Sequence, residues 1–334
     1  MNRIRNRPCA HAGVALLTAL GLLFVFSLLG LAYVGYMSTV VDQSNYALRS
    51  VRACHIARGG VYAALGEIQT ALEDPAALAR ALNTTYELEF PIYTLEQGAP
   101  EGFAANAMRN GVARVSIRDE SGKINLNHAP PRVLQAALGV DGDTARRVRI
   151  SLPIQEAGAV GPSPSWMASL DDLVTRGFMT PAAFKALPKH LLTVYSVADH
   201  ANPAGFLNVN AAPPEVLAVI LDIPPDAAQA VAAKRASQPF RDFQELAAAA
   251  GKDPATFNFR PALDAPNAPP KELGFQSRCF RIVSEATVSD VGPNGQEIHP
   301  TRKRVEAVVI LSEDGAPQVT FWSEAPEQGE IGKA

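Results

Sequence analysis

The sequence predicts an α+β fold in which one long N-terminal helix packs on an antiparallel sheet and a large all-helical domain is inserted between the strands. Three observations predict it. Residues 12–41 carry no charge over 30 positions, strand-like segments fall into an early and a late group, and the stretch between those groups, about 124–270, is rich in Ala, Pro and short helical patterns.

The charge-free run comes first. At about 1.5 Å per residue, a helix of that length exceeds the ~30 Å hydrocarbon core of a bilayer, so the run reads as a single membrane anchor. Arg3, Arg5 and Arg7 precede it, whereas Asp42 follows it and the next basic residue is Arg49. That asymmetry puts the N-terminus in the cytoplasm and the body in the periplasm. The run is too long for an ordinary secretory signal, and no small-x-small cleavage site follows it.

Beyond the membrane the helix is expected to continue. Ala47, Val51, Cys54, Val61, Leu65, Ile68 and Leu72 recur at helical spacing and form one apolar stripe, most economically buried against the protein's own sheet. Gly59 and Gly60 mark an expected bend, since glycine is unfavourable by about 1 kcal/mol in a helix interior. Strand-like segments follow at 84–90 and 112–118, then return at 279–288, 304–311 and 319–322. A helical domain lying between two such groups enters and leaves the sheet at neighbouring points.

The insertion contains a repeat. Residues 124–138, INLNHAPPRVLQAAL, align with residues 207–221, LNVNAAPPEVLAVIL, at an offset of 83, with eight of fifteen positions identical. In each copy an extended piece runs into two prolines at a helix start, Pro130 with Pro131 and Pro213 with Pro214. The asparagines before them read as turn and cap residues rather than ligands. Further helices are expected at 143–149 and 226–236, and the segments after them share a third pattern of acidic-polar helix, glycine turn and proline-led helix.

Helix-hairpin-helix DNA binders offer a superficial parallel. Their glycine-rich turn is absent here, and Asp141, Asp143, Asp222 and Asp226 put negative charge where a phosphate would sit. The formal net charge of -3 also argues against a nucleic-acid partner. The basic groups Arg146, Arg147, Arg149 and Arg302, Lys303, Arg304 read as solvated faces.

The six histidines form no H-E-x-x-H pair, the three cysteines form no C-x-x-C motif, and neither a G-x-S-x-G elbow nor a phosphate loop occurs. No nucleophile can be paired with a base, so enzymatic function is not expected. His128 reads as a loop residue, because the second copy has Ala211 at its position. Cys54 and Cys279 read as buried thiols, although an oxidising compartment would permit a disulfide.

The segment AGVALLT at 12–18 resembles the cleavage region of the minor pseudopilins of type II secretion systems. Three further features extend the resemblance to the K-type family, general secretion pathway protein K, over nearly the whole chain. They are the large helical insertion, SGKINLN at 121–127 with its echo LNVNAAPPEVL at 207–217, and the late strands from SRCFRIVSEA through VVIL to FW. The resemblance implies a pilin-like fold, with a prepilin leader at 1–13, an N-terminal helix at 14–82, and a first body segment at 83–123. The insert at 124–270, with repeats starting near 124 and 207, then precedes a second body segment at 271–324 and a flexible tail at 325–334.

By the same resemblance, a prepilin peptidase cuts between Gly13 and Val14 and Val14 becomes a methylated N-terminus. Thr18 stands at the fifth mature position, where most pilins carry a glutamate that neutralises a neighbour's amine. A tip subunit has no neighbour to neutralise there. The implied partners are minor pseudopilins of the I, J and H types, the prepilin peptidase, the inner-membrane secretion platform and secreted substrates. The family also implies structural calcium, for which Glu285, Asp290, Asn294 and Glu297 around the SDVGPNGQE loop are the candidates, although they lack EF-hand spacing and read as solvated loop residues before they read as a metal site. Two other functions fit the residues: a minor pilin of a type IV pilus, and a membrane-anchored periplasmic binding module.

Overall fold

In a computed structural model of the 334-residue chain, the described residues are 11–71, 85–90, 111–152, 166–195, 207–254, 273–291, 296–312 and 315–326. Helix α1 (His11–Ala71) is continuous over 61 residues, about 90 Å at the helical rise. Five strands, β1 (Thr85–Phe90), β2 (Gly111–Asp119), β7 (Cys279–Val291), β8 (Glu297–Leu311) and β9 (Pro317–Pro326), form one antiparallel sheet in the order β1-β2-β7-β8-β9.

The second half of α1 lies along this sheet. Its buried face is Ala53, Ile56, Ala57, Val61, Ala64, Leu65, Ile68 and Ala71, set against Ala113, Val115 and Ile117 of β2, Phe280, Ile282 and Ala286 of β7, and Val305, Ala307 and Val309 of β8. The expected stripe holds at Val61, Leu65 and Ile68 and fails before them. Val51 is exposed and Cys54 only half-buried, because alanines and a glycine bring the helix closer to the sheet than a row of large side chains would. Leu72 lies outside the described residues.

Gly60 explains the closeness. A Cβ there would meet Ser284 Oγ at 2.3 Å and Val115 Cγ2 at 2.9 Å, so this glycine serves a backbone-to-sheet contact, and α1 runs through 59–60 without a break. Two ion pairs fasten this half of α1 to the sheet. Arg49, buried near the membrane run, pairs with Asp290 late in β7, and Arg58 grips Glu324 of β9 through Nε at 2.8 Å and Nη2 at 2.9 Å.

The outer face of the sheet is polar. Glu87, Arg114, Glu285 and Arg304 stand in register on four successive strands, a row of alternating charge. Val112, Thr287 and Arg302 join this row around a shallow cavity of about 290 Å³.

The insert leaves after β2 and returns before β7, and the two crossing chains touch, with Glu120 N donating to Cys279 O at 2.9 Å. Its first copy comprises β3 (Ile124–Asn125), α2 (Pro131–Leu138), α3 (Gly142–Ile150), α4 (Asp172–Thr175), α5 (Pro181–Ala186) and β4 (Leu192–Thr193). The second comprises β5 (Leu207–Asn208), α6 (Pro214–Leu221), α7 (Pro225–Ser237), α8 (Phe243–Ala250) and β6 (Leu273–Gly274). Each copy opens and closes on a two-residue parallel pairing, β3 with β4 and β5 with β6. One apolar core spans both copies, through Val133, Leu134, Leu138, Val216, Leu217 and Leu221 among others.

Candidate assembly surface

Among the described residues, no other element packs on the first half of α1. Leu17, Phe24, Phe26, Leu31, Val34 and Tyr36 are all exposed, and α1 is long and apolar enough to cross a membrane. Its hydroxyls do not disturb that surface. Ser27 Oγ donates to Leu23 O at 2.8 Å and Thr39 Oγ1 to Gly35 O at 3.1 Å, so each is satisfied within the helix. Gly13 and Val14 lie in the first turns of α1, and Thr18 stands exposed one turn further on.

At the stem–body joint, the Glu324 carboxyl is pulled down to about 2, first by the Arg58 hydrogen bond and then by that from Trp322 Nε1, which donates at 2.7 Å. Cys54 Sγ lies 3.4 Å from the same carboxylate. Cys54 is thus on the helix side of the sheet, whereas buried Cys279 lies on the opposite face among Val308, Ile310 and Tyr195. Both thiols are free, and the sheet between them rules out a bridge.

The calcium candidates do not converge. Glu285 and Asp290 sit five residues apart on β7, about 16 Å at strand rise, with Glu285 facing Arg304 at 3.9 Å and Asp290 held by Arg49 and lying 3.7 Å from His299 Nδ1. Glu297 opens β8, and Asn294 lies outside the described residues. No group of three or more His, Cys, Asp or Glu among the described residues is placed to hold a metal.

Inside the insert the asparagines do more than turn the chain. The first of each pair closes an Asx turn, Asn125 Oδ1 accepting from Asn127 N and Asn208 Oδ1 from Asn210 N, both at 2.9 Å. The second reaches across its copy. Asn127 accepts from Met167 N and donates to Met167 O and Val194 O; Asn210 accepts from Phe240 N and donates to Phe240 O and Phe275 O, all within 2.8–3.1 Å. The expected capping role is absent, because Pro130 and Pro213 occupy the N-cap positions and no side chain bonds there.

His128 packs its ring 5.0 Å from that of Trp166. Burial, with the charge of Arg149, pushes its pKa down to about 4. Asp141 N-caps α3 through Thr144 N at 2.7 Å, so a carboxylate fills the place where a phosphate would bind in a helix-hairpin-helix.

An apolar stem, a sheet laid along its second half and a helical domain inserted in that sheet make a pilin-like α+β fold. Residues 207–263 match the family model described as Type II secretion system (T2SS), protein K. That span begins at the first residue of the second copy. The chain is also similar to a chain in the crystal structure of the GspK-GspI-GspJ complex from the enterotoxigenic Escherichia coli Type 2 Secretion System, with 13% identity, a TM-score of 0.48, and coverage of 86% of this chain and 99% of that one. No curated protein matches the chain.

Proposed function

We propose that the chain is a minor pseudopilin at the tip of the periplasmic pseudopilus of a type II secretion system, where it starts or caps assembly with other minor pseudopilins. The position of the insert carries this reading. Arg49, next to the apolar run, faces Asp290 at the far end of β7, whereas the chains crossing to the insert leave the sheet at Asp119 and Cys279, its opposite end. The insert therefore stands at the end of α1 away from the apolar run. Such bulk would crowd every level of a regular filament and is tolerated at its terminus.

Thr18 supports the same place in the assembly. A carboxylate in an apolar stem is costly unless paired with a neighbour's amine, and a terminal subunit has no such neighbour. In this reading Gly13–Val14 is the processed bond, the body is periplasmic on an inner-membrane anchor, and the partners are the I, J and H types. Prepilin peptidase and the inner-membrane platform act on the same stem.

The test is immunoprecipitation of the native protein from its own membrane, with the N-terminus and the co-purifying proteins read by mass spectrometry in one sample. A methylated Val14 terminus with minor pseudopilins is expected. An intact Met1 terminus without pilin-like partners would overturn the reading and return the chain to anchored periplasmic modules; processing with type IV pilus partners would move it to that system.

A further inference from the structure

The joint between sheet and insert is built from polar groups far apart in sequence. Asp119 closes β2, and its carboxylate accepts from Ser277 Oγ on the returning chain and, at 2.7 Å, from Ser121 N. Ser277 Oγ in turn accepts from Asn208 Nδ2, inside the second copy, at 2.6 Å. Asn208 N donates to Ser121 O at 2.7 Å, and Ser121 Oγ accepts from Cys279 N at 3.0 Å. Sheet, crossing chains and insert thus meet in one continuous set of bonds. Gly122 makes the contact close, since a Cβ there would lie 2.7 Å from Ala211 C and O.

Glu120 anchors the other side of the same crossing. It takes bonds from Lys123 and from Arg281 Nε, and Arg281 also pairs with Glu306 and lies over the Tyr195 ring. Burial opposes the Glu120 charge, but the Arg281 bond and the two cations outweigh it and hold its pKa below the usual carboxylate range. Glu120 therefore stays ionised at neutral pH, facing Asp119 as a like charge. The Cys279 thiol, pushed up by burial, stays neutral.

We propose that Asp119, Ser277 and Asn208 form a proton-sensitive clasp that sets how firmly the helical insert is held against the sheet. The closed clasp shields most of the carboxyl; opening returns it to water. Burial, reinforced by Glu120, pushes the enclosed Asp119 up to about 6 despite the Ser277 and Ser121 bonds, against an ordinary value of about 3.9 in water. The closed form therefore holds the proton more tightly, and linkage fixes the sign: the clasp tightens as pH falls through about 6 and loosens as pH rises. Between pH ~7.5 and ~5 the closed-to-open ratio rises about tenfold.

The experiment is hydrogen exchange on the full chain in detergent micelles, corrected for intrinsic rates, read at the joint amides of Glu120, Asn208 and Cys279. Protection is expected to rise about tenfold from pH ~7.5 to ~5, while amides at 282–286 in the middle of β7 keep theirs. Asp119→Asn should flatten the dependence, and Ser277→Ala, which removes a donor to the carboxylate, should extend it to higher pH. Flat or inverted protection in the unmodified chain, or a slope that survives Asp119→Asn, would overturn the clasp. The unmodified chain alone decides the first of these should a variant fail to fold.

Discussion

In the first copy of the repeat, residue 128 is a histidine stacked beside Trp166; in the second, the matching residue 211 is an alanine whose backbone lies against Gly122. The two copies otherwise share their internal bonding. Each has an Asx turn, an asparagine reaching to the third helical segment, and an arginine closing on the turn, Arg149 Nη1 to Asn127 O at 3.3 Å and Arg235 Nη1 to Val209 O at 2.6 Å. The second copy is hydrogen-bonded directly to the crossing chains, whereas the first meets the sheet through the Tyr195 ring, beside Arg281 and Phe321, and reaches the second through Arg132, whose Nη2 donates to Ile220 O at 3.2 Å. The second copy is in this sense the hydrogen-bonded foundation of the insert. The family match begins where that foundation begins.

The largest expected effect breaks the foundation. Gly122→Val drives a side chain into the Ala211 backbone and should lower stability by about 3 kcal/mol in denaturant unfolding of the full chain. Gly142→Ala, in the first copy, meets only Gln135 Oε1 at 3.6 Å and should change it by less than ~0.5 kcal/mol. Equal losses at the two sites would erase the distinction between the copies.

Next in size are the long-range asparagines. Asn127→Ala and Asn210→Ala each strand backbone groups on a distant segment and should lose about 2 kcal/mol, with Asn127 the costlier because it is fully buried. A negligible loss at either would show that its copy is held by its apolar core alone.

His128 gives the first copy a pH dependence that the second lacks. Its folded pKa lies below the ordinary value of about 6.5, so its contribution is complete above that value and is lost as pH falls toward about 4. Unmodified chain and His128→Ala should already converge by about 1 kcal/mol between pH ~6.5 and ~5.5, read as the difference between their unfolding midpoints at each pH. Comparing the two at equal pH cancels Asp119, which acts with the opposite sign. The smallest effect is Arg132→Ala, which removes a partly exposed contact and an ion pair to Asp222 at 3.4 Å and should cost about 0.5 kcal/mol.

The repeat was legible because its Asn and Pro residues meet local backbone demands at a fixed spacing. So were the long helix and the two strand groups, whose patterns follow from periods of 3.6 and 2. The stripe on α1 was legible at Val61, Leu65 and Ile68 but misread before them, because the contact surface there runs through Ala53, Ala57 and Gly60, which carry little hydrophobic signal and matter through how near they let the sheet approach. Asp119 gave no sign of its role, since Ser277 lies 158 residues away and neither residue belongs to a motif. Two-residue pairings such as β3 with β4 are likewise too short to leave a pattern.

The lengthwise seat of α1 on the sheet has a mechanical consequence. Arg49 meets the late part of β7, Gly60 its middle, and Gln69 the turn at Gly315 beyond β8, so helix and strands run side by side. A pull along the axis of the stem loads all these contacts at once, in shear, and none can yield alone. Force applied at the apolar end would reach the far domain undivided, whereas a sideways tug would peel the same contacts apart one at a time.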